Sequence, residues 1–150
     1  MHTPALSIGS SSFARYVEGI REDSYRELER TAAYGKQSAY DELAEVYEES
    51  RVADWDASGA RPVEQDTVRN AYLFLESLPL GFPLPSVGAD PNGHVSFEWY
   101  LEPRRLLSVA VSPDNELHYA SLIGSSKLYG TEVFFGTAPR RILQLVQDVL

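Results

Sequence analysis

Reaction chemistry needs converging polar groups, and in this 150-residue chain the candidates are Asp54, Asp56, His94, Glu98, His118 and Glu132. Glu98 and His118 would form an acid–base pair if they met, because a carboxylate and an imidazole can pass a proton near neutral pH. Asp54 and Asp56 bracket Trp55 in ADWDASGARP, and two hard carboxylates at alternate positions could hold Mg²⁺ or Ca²⁺. The same aspartates serve equally well as acceptors for backbone N–H groups of a loop or of the helix after it, the commoner use of aspartate at such positions. His2 lies in a polar N-terminal stretch and has no role assigned. There is no Gly-x-Ser-x-Gly elbow, no Walker-type phosphate loop and no dinucleotide glycine fingerprint. The absence of cysteine removes disulfides, thiolate metal sites and a cysteine nucleophile. No catalytic residue, metal site or cofactor is therefore expected, and Asp56, Glu98 and His118 stand as the candidate ligand-binding residues.

The elements that must hold these groups centre on His94 to Ile123. HVSFEWYLE, RRLLSVAVS and NELHYASLI read as three strands of an antiparallel meander, joined by EPRR and SPDN. Val95, Phe97, Trp99 and Leu101 alternate onto one side of the first strand, and Leu107, Val109 and Val111 onto the same side of the second. In the third, Leu117, Tyr119, Ser121 and Ile123 compete with His118, Ala120 and Leu122, and the first set is assigned inward. Glu98 and His118 then share the open face, on strands one and three, about 9.5 Å apart by two interstrand spacings and beyond direct hydrogen bonding. GSSKLYGTEVFFG adds a short fourth strand around Leu128 or Val133 to Phe135, with bends at Gly130 and Gly136.

Helices supply the cover. Residues 1–12 read as a mobile arm, and 13–150 as one α+β domain made of a helical extension over 13–50 and a core over 53–150. Phe13, Tyr16, Val17 and Ile20 have helical spacing, as do Ala39, Tyr40, Leu43, Val46 and Tyr47 after Gly35. Tyr34, Tyr40 and Tyr47, with Glu45 and Glu48 beside them, form a candidate partner-binding face, since tyrosine suits a half-wet interface; packing on the sheet is the ordinary alternative. In the loop after this helix Trp55 is expected to anchor in the core while Asp56, Gly59 and Pro62 shape the turn, with Pro62 at the start of a third helix. That helix carries Val68, Ala71, Tyr72, Leu75 and Leu78 inward. Four prolines and three glycines between Pro79 and Gly93 predict an irregular crossing pinned by Phe82 and Leu84. Thr137 caps a last helix whose buried stripe is Ile142, Leu143, Val146 and Leu150. The fold class is thus α+β, a three- or four-stranded antiparallel meander covered on one face by helices, with an N-terminal helical segment.

The formal net charge is −9, spread as −5 over residues 1–50, −5 over 51–102 and +1 over 103–150. An acidic field disfavours nucleic acid and membrane surfaces and favours a protein partner with a basic surface. An aromatic platform of Tyr100 and Tyr119 for stacking bases fails if Tyr119 faces the core. Near the N-terminus no apolar run is long enough to span a bilayer, and MHTPALSIGSSSF lacks the features of a secretory signal, so a cytoplasmic location is expected.

Trp55, Asp56, Gly59, Ala60 and Pro62 fit a Trp-Asp-x-x-Gly-Ala-x-Pro motif, and Glu98, Trp99 and Tyr100 follow in a later strand. Over residues 53–150 this pattern resembles a group of small uncharacterised bacterial proteins, which implies a shared architecture and a bacterial or mobile-element setting and transfers no catalytic residue. The residues together point to a noncatalytic acidic interaction module, antitoxin-, immunity- or inhibitor-like. The alternatives are a small-ligand sensor or hydrolase using the open sheet face and the Trp55 loop, and a homo-oligomeric structural module joined through residues 13–50.

Overall fold

Alternation of apolar residues along successive strands produces a sheet with one oily face. The computed structural model describes residues 35–150; the arm over 1–12, the helix beginning at Phe13 and the site residue Tyr34 lie outside the described residues. The sheet has five strands, β1 (Ser86–Ala89), β2 (Val95–Glu102), β3 (Arg105–Val111), β4 (Glu116–Ile123) and β5 (Ser126–Val133), in the order β1-β2-β3-β4-β5 with every pair antiparallel. The expectation of three or four strands is corrected at both edges. β1 arises inside the stretch read as irregular. Pro85, which has no N–H to give, sits just before the strand, and Asp90 closes the turn into β2 by accepting from the amides of Asn92 (2.9 Å) and His94 (3.1 Å). β5 runs unbroken through Gly130, where a bend was expected. Tyr119 lies opposite this glycine in β4 and its ring occupies the space a Cβ would need, so the glycine serves a close approach rather than a turn.

The inner face is carried by Val95, Phe97 and Trp99, by Leu107, Val109 and Val111, and by Leu117, Tyr119 and Ser121, all buried. Tyr119 therefore faces the core and His118 the open side. Leu101 is exposed, against its expected inward position, because the β2–β3 register shifts between Tyr100 and Glu102 and breaks the alternation. Helix α2 (Gln65–Ser77) sets Phe74 at the centre of the core, stacked on Phe97 at 5.2 Å between ring centroids and edge-on to Trp99 (6.4 Å) and Phe134 (5.9 Å). Its buried residues Thr67, Asn70, Ala71, Phe74 and Leu75 are rotated from the expected stripe, so Tyr72 is exposed. Helix α3 (Arg140–Val149) likewise buries Ile142, Leu145, Val146 and Val149 while Leu150 is exposed, and it begins after Pro139 without the side-chain cap expected from Thr137.

Helix α1 spans residues 35–50. It buries Ala39 and Leu43, and Tyr40 and Tyr47 are half-buried against the core. Tyr40 also stacks on Tyr72, 4.8 Å between centroids. Two polar contacts fix the helix in place. The Glu42 carboxylate accepts from the backbone N–H of Val87, closing the outer edge of β1. The Lys36 ammonium donates to the carbonyls of Glu76 (2.9 Å) and Leu78 (2.7 Å), where α2 has orphan acceptors and the negative end of its dipole. Burial lowers the pKa of Lys36, with the charge of Glu76 opposing that shift.

From Lys36 to Leu150 the chain forms one compact unit, and among the described residues no helix is long and apolar enough to cross a membrane. Replacing Glu42 by Ala leaves the Val87 amide without its acceptor and should cost about 1–3 kcal/mol in urea unfolding, whereas Glu42→Gln, which keeps a carbonyl oxygen, should recover most of the loss. Gly130→Ala drives a methyl into the Tyr119 ring and should destabilise by about 1–3 kcal/mol, an effect that shrinks when Tyr119 is first shortened to Leu.

Candidate functional site

The loop between α1 and α2 is built on its own aspartates. Asp54 accepts from Gly59 N (2.6 Å) and Asp56 from both Ser58 N (2.9 Å) and Ala60 N (3.0 Å). Asp54, Ala57 and Gly59 all have left-handed backbone angles, φ 61°, 60° and 86°, held by these bonds and by Asp54 N to Ala60 O at 2.8 Å. Asp56 thus has the backbone-capping arrangement weighed against metal binding. Trp55 is half-buried and folds onto its own loop, donating from Nε1 to the Arg61 carbonyl at 2.9 Å. It is not in the core cluster, contrary to expectation. The reason is that the tight aspartate-capped turn supplies the indole with a polar partner within reach. Pro62 precedes α2, which starts at Gln65 with Glu64 as its N-cap residue.

This loop docks on the β1–β2 turn. Arg61 N donates to Pro91 O at 2.9 Å, and Gly93 lies so close that a Cβ there would come within 2.9 Å of the Pro62 carbonyl. Gly93 also has φ 87°, so backbone angle and proximity both require glycine. In a meander the first and third turns lie at the same end of the sheet, which brings the β3–β4 turn alongside. That turn is gripped from below by Asn70 of α2, whose Nδ2 reaches the carbonyls of Ser112 (3.2 Å), Pro113 (3.3 Å) and Asp114 (3.3 Å).

Between the three segments is a cleft of about 360 Å³ bordered by Arg61, Glu64, Asn92, His94, Ser112 and Asp114. It holds one guanidinium, two carboxylates, an amide and an imidazole. Beneath it the Ser112 hydroxyl is buried, with no hydrogen-bond partner among the described residues. Nδ1 of His94 lies 3.6 Å from the Asp90 carboxylate, and its ring stacks on His118 at 6.2 Å between centroids and 19° between planes. Ala110, which pairs with His118 on the intervening strand, presents only a methyl on that face and leaves room for the two rings. His118 Nδ1 in turn lies 3.1 Å from Thr131 Oγ1.

Asp56, Glu98 and His118 are therefore in three places: within the loop, on the open face in the row of Ser108 and Ala120, and beside His94. Glu98 and His118 lie on strands separated by β3, as expected, and in addition belong to different rows. Among the described residues no group of three or more His, Asp and Glu side chains could hold a metal ion. Of the partner-face candidates, Glu45 and Glu48 are exposed, Glu48 reaching Arg51 at 3.3 Å, while Tyr40 and Tyr47 are half-buried in packing. Arg61, Asn92 and Asp114 were missed. The available signal was topological, since ADPNGH and SPDN occupy first and third turns that a meander must place side by side.

Fold and cleft define an α+β domain with a five-stranded antiparallel sheet covered by helices on one face and turns converging at one end. No family model matches the chain, and neither a curated protein nor a solved structure matches it. Gly93→Ala should undock the loop, costing about 1–3 kcal/mol from the close contact and the backbone angle together. In a Trp99→Phe background the emission of Trp55 should shift to the red in that variant, and also in Asp56→Ala, which frees the amides of Ser58 and Ala60.

Proposed function

We propose that the chain is a noncatalytic protein-interaction module whose acidic helix covers a basic surface of another protein, in the manner of an antitoxin, an immunity protein or an inhibitor. The observation that carries this reading is the division of labour on α1. Ala39 and Leu43 are committed to the core and Tyr40 and Tyr47 lie half-buried against it, while Asp41, Glu45, Glu48 and Glu49 are exposed on the outer side. Carboxylates held on a rigid helix complement a basic surface at low entropic cost and steer its approach. The net charge of −9 adds to the same field. The resemblance of residues 53–150 to small bacterial proteins supports a bacterial or phage setting, and a cytoplasmic one fits the absence of cysteine.

Capture of a partner by the full chain at low salt should weaken steeply as salt rises. Reversing Glu45 and Glu48 to Lys together should lower affinity by about tenfold or more while leaving the unfolding curve nearly unchanged. Salt-insensitive capture, or capture unaffected by the double reversal, would sink the reading.

The cleft favours a second reading, a small-ligand sensor beside the Trp55 loop. Its support is the convergence of Arg61, Asn92, His94 and Asp114 over a buried hydroxyl that has no partner among the described residues. A polar ligand bound there would raise the melting temperature and perturb Trp55 emission, and Arg61→Ala would remove both effects.

A further inference from the structure

The two edges of the sheet are treated differently. The β1 edge is closed by Glu42, but β5 has no neighbour beyond it among the described residues. Phe134 N donates to Asn115 O at 2.9 Å, which sets the phase of the β4–β5 ladder. Even-numbered residues of β5 turn their backbone groups toward β4, and Lys127, Tyr129, Thr131 and Val133 turn theirs outward. Large apolar side chains follow the same line, with Tyr129 71%, Val133 62% and Phe135 76% exposed. α3 contacts β2, β3 and β4 but has no substantial contact with β5, so among the described residues the helix layer stops short of this edge. An eight-residue strand whose outer side is unpaired among the described residues, and which is flanked by exposed aromatics, is a template for strand addition.

We propose that this edge pairs with β5 of a second copy of the chain, antiparallel about a two-fold axis between the two Gly130 residues, joining two five-stranded sheets into one. That register sets Lys127 opposite Val133 and Tyr129 opposite Thr131. All four outward-facing residues of each strand then exchange backbone hydrogen bonds in antiparallel pairs. A two-fold centred one residue away, on Tyr129, would leave Val133 unpaired within the strand.

Charge selects a second copy as the occupant. Two chains of net charge −9 repel over most of their surfaces, and residues 103–150, at +1, are the segment where they can meet. In β4 Glu116 pairs with Val133 and shares its open face. The two-fold therefore brings Lys127 of each copy beside Val133 of the other, one strand away from that copy's Glu116 and within reach of a lysine side chain. Two symmetric opposite-charge contacts result, and a basic or acidic foreign strand would satisfy only half of this pattern.

Sedimentation equilibrium of the full chain across a concentration series should give a limiting mass of twice 16.7 kDa. Thr131→Pro deletes an outward N–H while leaving the β4 ladder intact, and should yield a monomer with an unchanged circular dichroism spectrum. Lys127→Glu should weaken dimerisation by about tenfold, through two like-charge contacts. Adding Glu116→Lys to it should restore the dimer, so the charge swap keeps the test open even if the proline variant fails to fold. A wild-type mass of 16.7 kDa throughout, or a dimer that is indifferent to both Thr131→Pro and Lys127→Glu, would overturn the proposal.

Discussion

Everything in this domain depends on one aromatic contact, the insertion of Phe74 from α2 between Phe97, Trp99 and Phe134. A strand meander can bury only one face against helices, and that face here is lined by side chains of very different size, from Val95 to Trp99. Phe74 is fully buried and meets rings from β2 and from the segment after β5, so a single helix position ties the second strand to the end of the sheet. The placement of α2 follows from that contact. Lys36 and Glu42 then bring α1 onto the end of α2 and the edge of β1, so the first described helix is positioned by α2 and the sheet together.

The placement of α2 also decides what the surface offers. Its N-terminus comes between the Trp55 loop and the two turns at one end of the sheet, where Arg61, Glu64, Asn92, His94 and Asp114 surround the cleft. Its exposed flank stacks Tyr72 on Tyr40, which uses part of the tyrosine stripe of α1 for packing and leaves the carboxylates as the outward-facing groups. Structure and surface chemistry here have a common origin, because the same helix phase that buries Phe74 turns Tyr72 outward.

The sequence made the three central strands legible because alternation over seven or eight residues is a strong signal, and SPDN and EPRR are compact turns. The facing of β4 is ambiguous in the sequence, where Leu117, Tyr119 and Ser121 compete with His118 and Ala120, and it is the structure that buries the first set. β1 was hidden because it is four residues long and lies among prolines and glycines that normally exclude strands. Those residues instead start the strand and close the turn. Gly130 misled for a related reason: a glycine in a strand signals either a bend or a close approach, and only its partner across the ladder, Tyr119, distinguishes the two. Helix phase slipped by one position in α2 and in α3, where adjacent apolar residues, Tyr72 and Leu73 or Leu145 and Val146, make the stripe degenerate. The His94–His118 stack depends on Ala110 of the strand between them, and nothing local to either histidine reveals it.

Asn70 carries a consequence that goes beyond holding a turn. One amide nitrogen shared among three successive carbonyls ties the β3–β4 turn to α2. The wall of the cleft formed by Ser112 and Asp114 is in this way preorganised, and a molecule settling against it would forfeit little entropy in ordering that side. A tilt of α2 would conversely reshape the cleft at once, giving the aromatic interior a mechanical connection to the surface.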